Sequence, residues 1–504
     1  MLRLYKPLIL VAAAMLALAG CRDQSTDAID VMVIADKAPT IADPSDGPLD
    51  PAQQLLMLNV AQGLVRFDAR GQIEPGLAER WNVSDDGLSY VFRLTPGNWP
   101  DGRSIQARDV ARMLTRTLRR ASRNEAKDTL GAIEEVVAMT DRVIEIRLSA
   151  PRPNLLQLLA QPQFGLTREG LGTGPFQPIE RTAAEGAVSL VRTERTDDGP
   201  DKRDAVDLVA APAQRAIAAF VGGKADLVLG GTFDDLPLVP RANIARSALR
   251  FDPVAGLFGL VPARRGGPLA DEQLRGLLNR SIDRDALVAA LAVPGLGPRA
   301  TLLQAGLEGL APPTPPAWTA VPLAERRRPL ANEARTVGDA DEAGADRAET
   351  EAGTDQPVTL AIDLPSGPGG RILFDRLAAD WGTIGIRLVR AQKGVPADLK
   401  LIDAVAPSSS PAWFVRSFRC GLRPICSTEA DEMMDSARAA TVAEQRAAFF
   451  REASRLLEEE NLFLPLAAPV RWSLVGPRIQ GFAENVVARH PLTSLNVVLR
   501  REGQ

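Results

Sequence analysis

The chain has 504 residues, 45% of them hydrophobic, enough for two or three domains with substantial cores. Its 59 Lys and Arg against 63 Asp and Glu leave a formal net charge of −4, and no dense basic run occurs. Nucleic acid is therefore excluded as the main partner, because neutralising a phosphate backbone needs clustered cations. Along the chain, Met1-Leu-Arg-Leu-Tyr-Lys6 is a basic lead, 7–19 is a short apolar stretch, and Leu18-Ala-Gly-Cys21 closes it with small residues. This is an export signal rather than a fold element, and its apolar part is too short to span a bilayer comfortably. No second long apolar segment follows.

The N-terminal segment, read as 1–20, resembles a bacterial lipoprotein signal with a Leu-Ala-Gly-Cys lipobox. The resemblance implies that Cys21 becomes the acylated first residue, with 21–27 as a solvated tether. The alternative is an ordinary secretory signal with an incidental Cys21. Two of the three cysteines then remain, Cys420 and Cys426. In an exported protein an even remainder suggests one short-loop disulfide. The alternatives are two free thiols or a metal site, for which this spacing with no adjacent histidine is a poor zinc pattern.

Beyond the tether, 29–34 alternates like a first strand and ends in the turn-rich Asp43-Pro-Ser-Asp-Gly-Pro48. A helix is predicted over 51–61, where Leu55, Leu56, Leu58 and Val60 give helical spacing and Gly63 can stop it. Strands follow at 64–67 and 89–94. An amphipathic helix over 109–119 gathers Val110, Met113, Leu114, Thr117 and Leu118 on one face. Gly172-Thr-Gly-Pro-Phe176 lacks the Lys-Ser/Thr pair of a phosphate loop and reads as a flexible backbone joint. Thr441 and Glu444 fit a capping box opening a helix that runs to 460.

Several of these segments carry a family resemblance. Gly63-Leu-Val-Arg-Phe-Asp68, Ile73-Glu-Pro-Gly-Leu-Ala-Glu-Arg-Trp81 with Asp86-Gly-Leu-Ser-Tyr90, and Trp99-Pro-Asp-Gly102 come first. Gly172-Thr-Gly-Pro-Phe176, the run 268–287, Leu377-Ala-Ala-Asp-Trp381 and Leu462-Phe-Leu-Pro-Leu466 follow in order. The ordered set resembles family 5 bacterial extracellular solute-binding proteins, which include oligopeptide, dipeptide, glutathione and nickel-chelate receptors. The resemblance implies an α/β, periplasmic-binding-protein-like fold of two hinged lobes. Lobe I is expected from 28–254 and 471–504, with an extra subdomain at about 51–163, and lobe II from 255–470. It also implies an envelope protein that passes a captured peptide or small solute to an ABC permease and ATPase. A monomer is expected, with no cofactor and no metal.

Residue inventory argues against an enzyme. The one histidine, His490, has no nucleophile or metal partner near it in sequence. Asp85-Asp86 and Asp234-Asp235 are adjacent acids in polar loops, which usually means solvation. The stretch 326–356 is polar and Ala/Gly/acid-rich, reading as a flexible insertion, and its Asp339, Asp341 and Asp346 miss the EF-hand spacing.

One departure concerns the ligand. Peptide receptors of the family follow a lobe II strand with a Trp-x-x-Asp-Tyr-Pro-Asp-Pro-like segment whose aspartate takes the peptide amine. This chain has Asp403-Ala-Val-Ala-Pro-Ser-Ser-Ser-Pro411 instead, with the acid too early and the aromatic missing. Downstream, Trp413, Arg416 and Arg423 are candidate ligand contacts, guanidinium groups suiting a carboxylate or phosphate; the alternative is a surface loop pinned by the cysteines. Beside peptide capture, two readings stay open: a receptor for an anionic non-peptide solute, and a degenerate receptor fold serving as an envelope interaction protein.

Overall fold

The computed structural model describes residues 28–180, 186–195, 201–327 and 358–497. The signal segment, Cys21, the tether and nearly all of the 326–356 insertion lie outside these residues.

Two mixed sheets organise the chain. The strand Ala28–Ile34 buries Ile29, Val31 and Val33. It runs parallel to both Lys202–Ala211 and Leu227–Thr232 at the centre of a seven-stranded sheet. Arg471–Val475, from near the far end of the chain, enters this sheet antiparallel to Leu227–Thr232. The second sheet has five strands, in the order Arg387–Arg390, Thr359–Asp363, Leu399–Val405, Gly256–Pro262 and Leu464–Ala467. Gly256–Pro262 is buried at every residue, as expected of a strand covered on both faces. The first sheet marks lobe I and the second lobe II. The chain passes between the sheets after Phe251 and again after Ala467.

A four-stranded antiparallel sheet, built from residues between Ala78–Val83 and Val143–Leu148, forms a smaller subdomain. The helix Ala107–Leu118 packs on it, joining Val110 and Leu114 to Phe92, Ile144 and Ile146 in one core. The helix Pro51–Val60 is closed by a capping box that sequence reading missed. Asp50 accepts from the Gln53 N–H at 2.9 Å, and the Gln53 carboxamide accepts from the Asp50 N–H at 3.1 Å. Each satisfies a donor that the helix start would otherwise leave unpaired.

Three expectations need correction. The helix Ala443–Glu459 starts one residue after Val442, which caps it without a side-chain bond, so Thr441 is one position too early for a capping box; Glu444 still lies in the first turn, where the helix dipole favours it. Gly172 and Gly174 serve close packing rather than flexibility. A Cβ on Gly174 would stand 2.4 Å from Asn59 O and from the Val60 carbonyl carbon, while its own N–H bonds to Val60 O at 2.9 Å. Asp234 and Asp235 are not simply solvated. The Asp234 carboxylate accepts from Gly370 N at 2.7 Å and Gly367 N at 3.1 Å, capping the lobe II helix Pro368–Gly382 from lobe I. Beside it Phe233 meets Phe258 of lobe II edge-on, with centroids 4.9 Å apart.

Candidate functional site

A cavity of about 540 Å³ lies between the lobes. Val33, Leu229 and Thr232 reach it from the first sheet, Gln54, Leu55 and Leu58 from the helix beside it, and Glu125, Gln161 and Gln163 from the subdomain. Residues 403–407 and Trp413 form the lobe II wall, and Arg471, Arg489 and His490 complete it from the C-terminal part of the chain. A larger cavity of about 820 Å³ opens beside the helix Glu272–Ser281 but draws every residue from lobe II. Only the interlobe cavity would change with lobe closure, so it is the stronger site.

The lobes are bridged by hydrogen bonds, one of them between residues that line the cavity. Asn154 Nδ2 donates to Ser408 Oγ at 2.7 Å, Gln161 Nε2 to Pro407 O at 3.1 Å, and Arg446 Nη1 to Pro151 O at 3.3 Å. Each bond joins the subdomain to lobe II, so the two walls of the cavity are held together.

Two paired contacts hold much of the charge at the chamber, and among the described residues Glu125 and Arg489 stand outside them. Asp403, at the chamber wall, accepts from Arg471 Nη1 at 2.8 Å. Burial holds the Asp403 carboxyl above its ordinary range, Arg471 opposing that shift and Asp234 adding to it. His490 Nε2 lies 3.0 Å from Asp252 Oδ2, and its ring stacks on Phe482 with centroids 4.7 Å apart. Arg489 is the cation without a carboxylate at ion-pair distance among the described residues. Its Nη1 donates to Gln54 Oε1 at 2.7 Å and its Nε to Gln161 Oε1 at 3.3 Å, both neutral carboxamides. Burial pushes this guanidinium down to about 10, with Arg471 adding to the shift and Glu125 opposing it.

The residues singled out from sequence divide. Trp413 lines the chamber, its ring edge-on to Phe414 at 5.0 Å. Arg416 and Arg423 do not line it. Arg416 Nη2 donates to Asp128 O of the subdomain at 2.6 Å, at the seam outside the chamber. Arg423 lies over the Phe418 ring at 5.5 Å and donates to Ser417 O at 2.7 Å. Each makes a hydrogen bond to a backbone carbonyl away from the chamber. Cys420 and Cys426 are joined in a disulfide with Cα atoms 5.0 Å apart. Asp403, set aside as displaced from the family's amine clamp, does reach the chamber, where Arg471 occupies it. Arg471, Arg489 and the glutamines were missed, and their contacts span up to 435 positions. The one available signal was the basic, Pro-ended run Ala488-Arg489-His490-Pro491.

A model of the bacterial extracellular solute-binding proteins, family 5 (middle region), matches residues 72–391. The chain belongs to that family. This solute-binding protein is 24% identical over 503 aligned positions to the probable di/tripeptide-binding protein 5 of Pseudomonas aeruginosa, covering 86% of this chain and 89% of the relative. In structure it is similar to the murein tripeptide-binding protein MppA of Escherichia coli (TM-score 0.77, 18% identity, 94% and 99% covered). It is also similar to Haemophilus influenzae OppA in its peptide complex (TM-score 0.76, 17% identity, 94% and 99% covered). The shared architecture accounts for a chamber set between two lobes.

Proposed function

We propose that this solute-binding protein is the extracytoplasmic capture component of an ABC importer, taking up peptides or peptide-like solutes in the interlobe chamber. The observation that carries this reading is the chamber itself, walled by both lobes, which are bridged by bonds such as Asn154 to Ser408. A solute held there contacts both lobes only when they are closed, so its binding free energy favours the closed form. Closure is then the signal a permease reads. The curated relative named as binding di- and tripeptides is consistent with that ligand class. The reading is of binding rather than catalysis, in keeping with a family of solute-binding proteins. Attachment to the envelope runs through a lipid on Cys21, and Trp413 contributes an aromatic wall to the bound solute.

The test is mass spectrometry of solute released from gently purified protein, with thermal-shift screening against di- to pentapeptide pools. A peptide-like mass and a raised melting point are expected. An empty protein whose melting point no pool shifts would remove the peptide assignment. For the anchor, Cys21→Ser should move the protein from the membrane to the soluble envelope fraction; unchanged membrane retention would remove the lipid.

A further inference from the structure

We propose that the chamber selects its solute by a carboxylate seated on Arg489 and requires no free ammonium group on it. The proposal rests on capture in the interlobe chamber and adds the chemical class of what is captured.

Two cations line the chamber, Arg471 and Arg489. Arg471 is committed to Asp403 at 2.8 Å. Arg489 has no carboxylate at ion-pair distance among the described residues, and its Nη2 carries no hydrogen bond there. Taking a guanidinium partly out of water without a counter-charge is costly, and an anionic ligand would supply the missing partner. The planar fork suits a carboxylate, which it can meet with two parallel N–H bonds.

Its orientation is set beforehand. The Gln54 amide nitrogen donates to Leu49 O at 2.8 Å and the Gln161 amide nitrogen to Pro407 O at 3.1 Å. With both NH₂ ends committed, both carboxamide oxygens are directed to Arg489. Gln161 also ties Arg489 to the lobe II backbone at Pro407, so the anchor is complete only when the lobes are closed.

The opposite end of a free peptide finds no equivalent. The carboxylates lining the chamber are Asp403 and Glu125. Asp403 is occupied by Arg471. Glu125 is exposed at the rim and accepts from Gln163 Nε2 at 2.8 Å; at such a hydrated position its attraction for an ammonium is screened. An ammonium group carried inside would lose water and gain no free carboxylate. The class that fits is a solute with one carboxylate and a neutral, hydrogen-bonding remainder, such as an N-acylated short peptide.

The experiment uses four equimolar tripeptide pools, with the amino end free or acetylated and the carboxyl end free or amidated. Binding is measured by calorimetry on the purified protein, Arg489→Gln and Arg489→Lys, each first checked for an unchanged melting curve. Acetylated acids should bind at least as tightly as free-amine acids, and amidation should weaken both by about tenfold or more, the size of one lost charged contact. Arg489→Gln should erase the difference between acid and amide; Arg489→Lys, which keeps the charge without the fork, should retain part of it. Amides binding as well as acids, or acetylation weakening binding tenfold, would overturn the proposal while leaving peptide capture intact. If no pool binds, peptide capture fails instead. The solute released from the protein then decides: an acid retained by wild type but lost from Arg489→Gln supports the anchor, and any other outcome overturns it.

Discussion

Replacing Arg471 by methionine isolates the ion pair at the junction of the lobes. Arg471 opens a strand of the first sheet, Asp403 belongs to a strand of the second, and their atoms meet at 2.8 Å. The substitution keeps much of the side-chain volume and leaves Asp403 without its cation. Removing one partner of a buried pair costs about 3–5 kcal/mol. Here Arg471 and Asp403 keep 18% and 16% of their side-chain surface exposed, so some water screens the stranded charge and the loss should fall near the lower end, about 3 kcal/mol. The double variant Asp403→Asn, Arg471→Met removes both charges and should recover most of it.

The pH dependence has a definite sign. Burial already raises the Asp403 carboxyl and Arg471 holds it back; without Arg471 it rises further. A carboxyl raised in the folded chain contributes stability below its unfolded value and loses it as pH climbs through the folded value. The Arg471→Met deficit should therefore be larger near pH 8 than near pH 5, by about 1.4 kcal/mol for each tenfold weakening of Asp403 as an acid. Urea denaturation followed by tryptophan fluorescence at both pH values measures this. A single variant as stable as wild type, or a double variant no better than the single, would refute the pair as the source of the cost.

Four further outcomes are expected. Asp235 is raised to about 6 by burial and by Asp234, against the Thr232 hydroxyl; its stabilising contribution is lost as pH rises through that value, so Asp235→Asn should flatten the melting temperature between about pH 4 and 7, and an unaltered profile would clear Asp235 of that role. Gly174→Ala drives a Cβ to 2.4 Å from the Val60 backbone and should cost about 1–3 kcal/mol in thermal unfolding; an unchanged melting curve would show that the approach is not so close. Joint replacement of Cys420 and Cys426 by serine should cost about 2 kcal/mol in thermal unfolding for so short a loop, and Arg423→Ala should leave ligand affinity unchanged because Arg423 does not line the chamber; calorimetry showing weakened binding would place the loop at the ligand.

Local pattern and motif order made much of this protein legible in advance. Alternation in 29–34 anticipated the strand Ala28–Ile34, and helical spacing of Leu55, Leu56, Leu58 and Val60 anticipated the helix Pro51–Val60. Both signals come from neighbours in the chain, whose burial depends on periods of two and about 3.6 residues. The glycines of 172–176 show the limit. Their composition suggested freedom, whereas the reason for them is the Asn59 and Val60 backbone, more than a hundred positions away. The Thr441 and Glu444 pattern was likewise sound in composition and wrong by one position, because side-chain identity does not fix where a helix takes its first turn.

The family, the two-lobed α/β fold and a solute-binding role could all be read from the chain as written, since they follow from ordered segments each legible on its own. What the chamber presents could not. Tertiary packing paired Asp403 with Arg471 and brought Arg489 to Gln54 and Gln161, contacts set by how two sheets and a subdomain close on one another. A charge in sequence carries no record of whether its partner is protein or ligand. Folding makes that assignment by deciding which carboxylates reach which guanidinium groups, and among the described residues no carboxylate comes within ion-pair distance of Arg489.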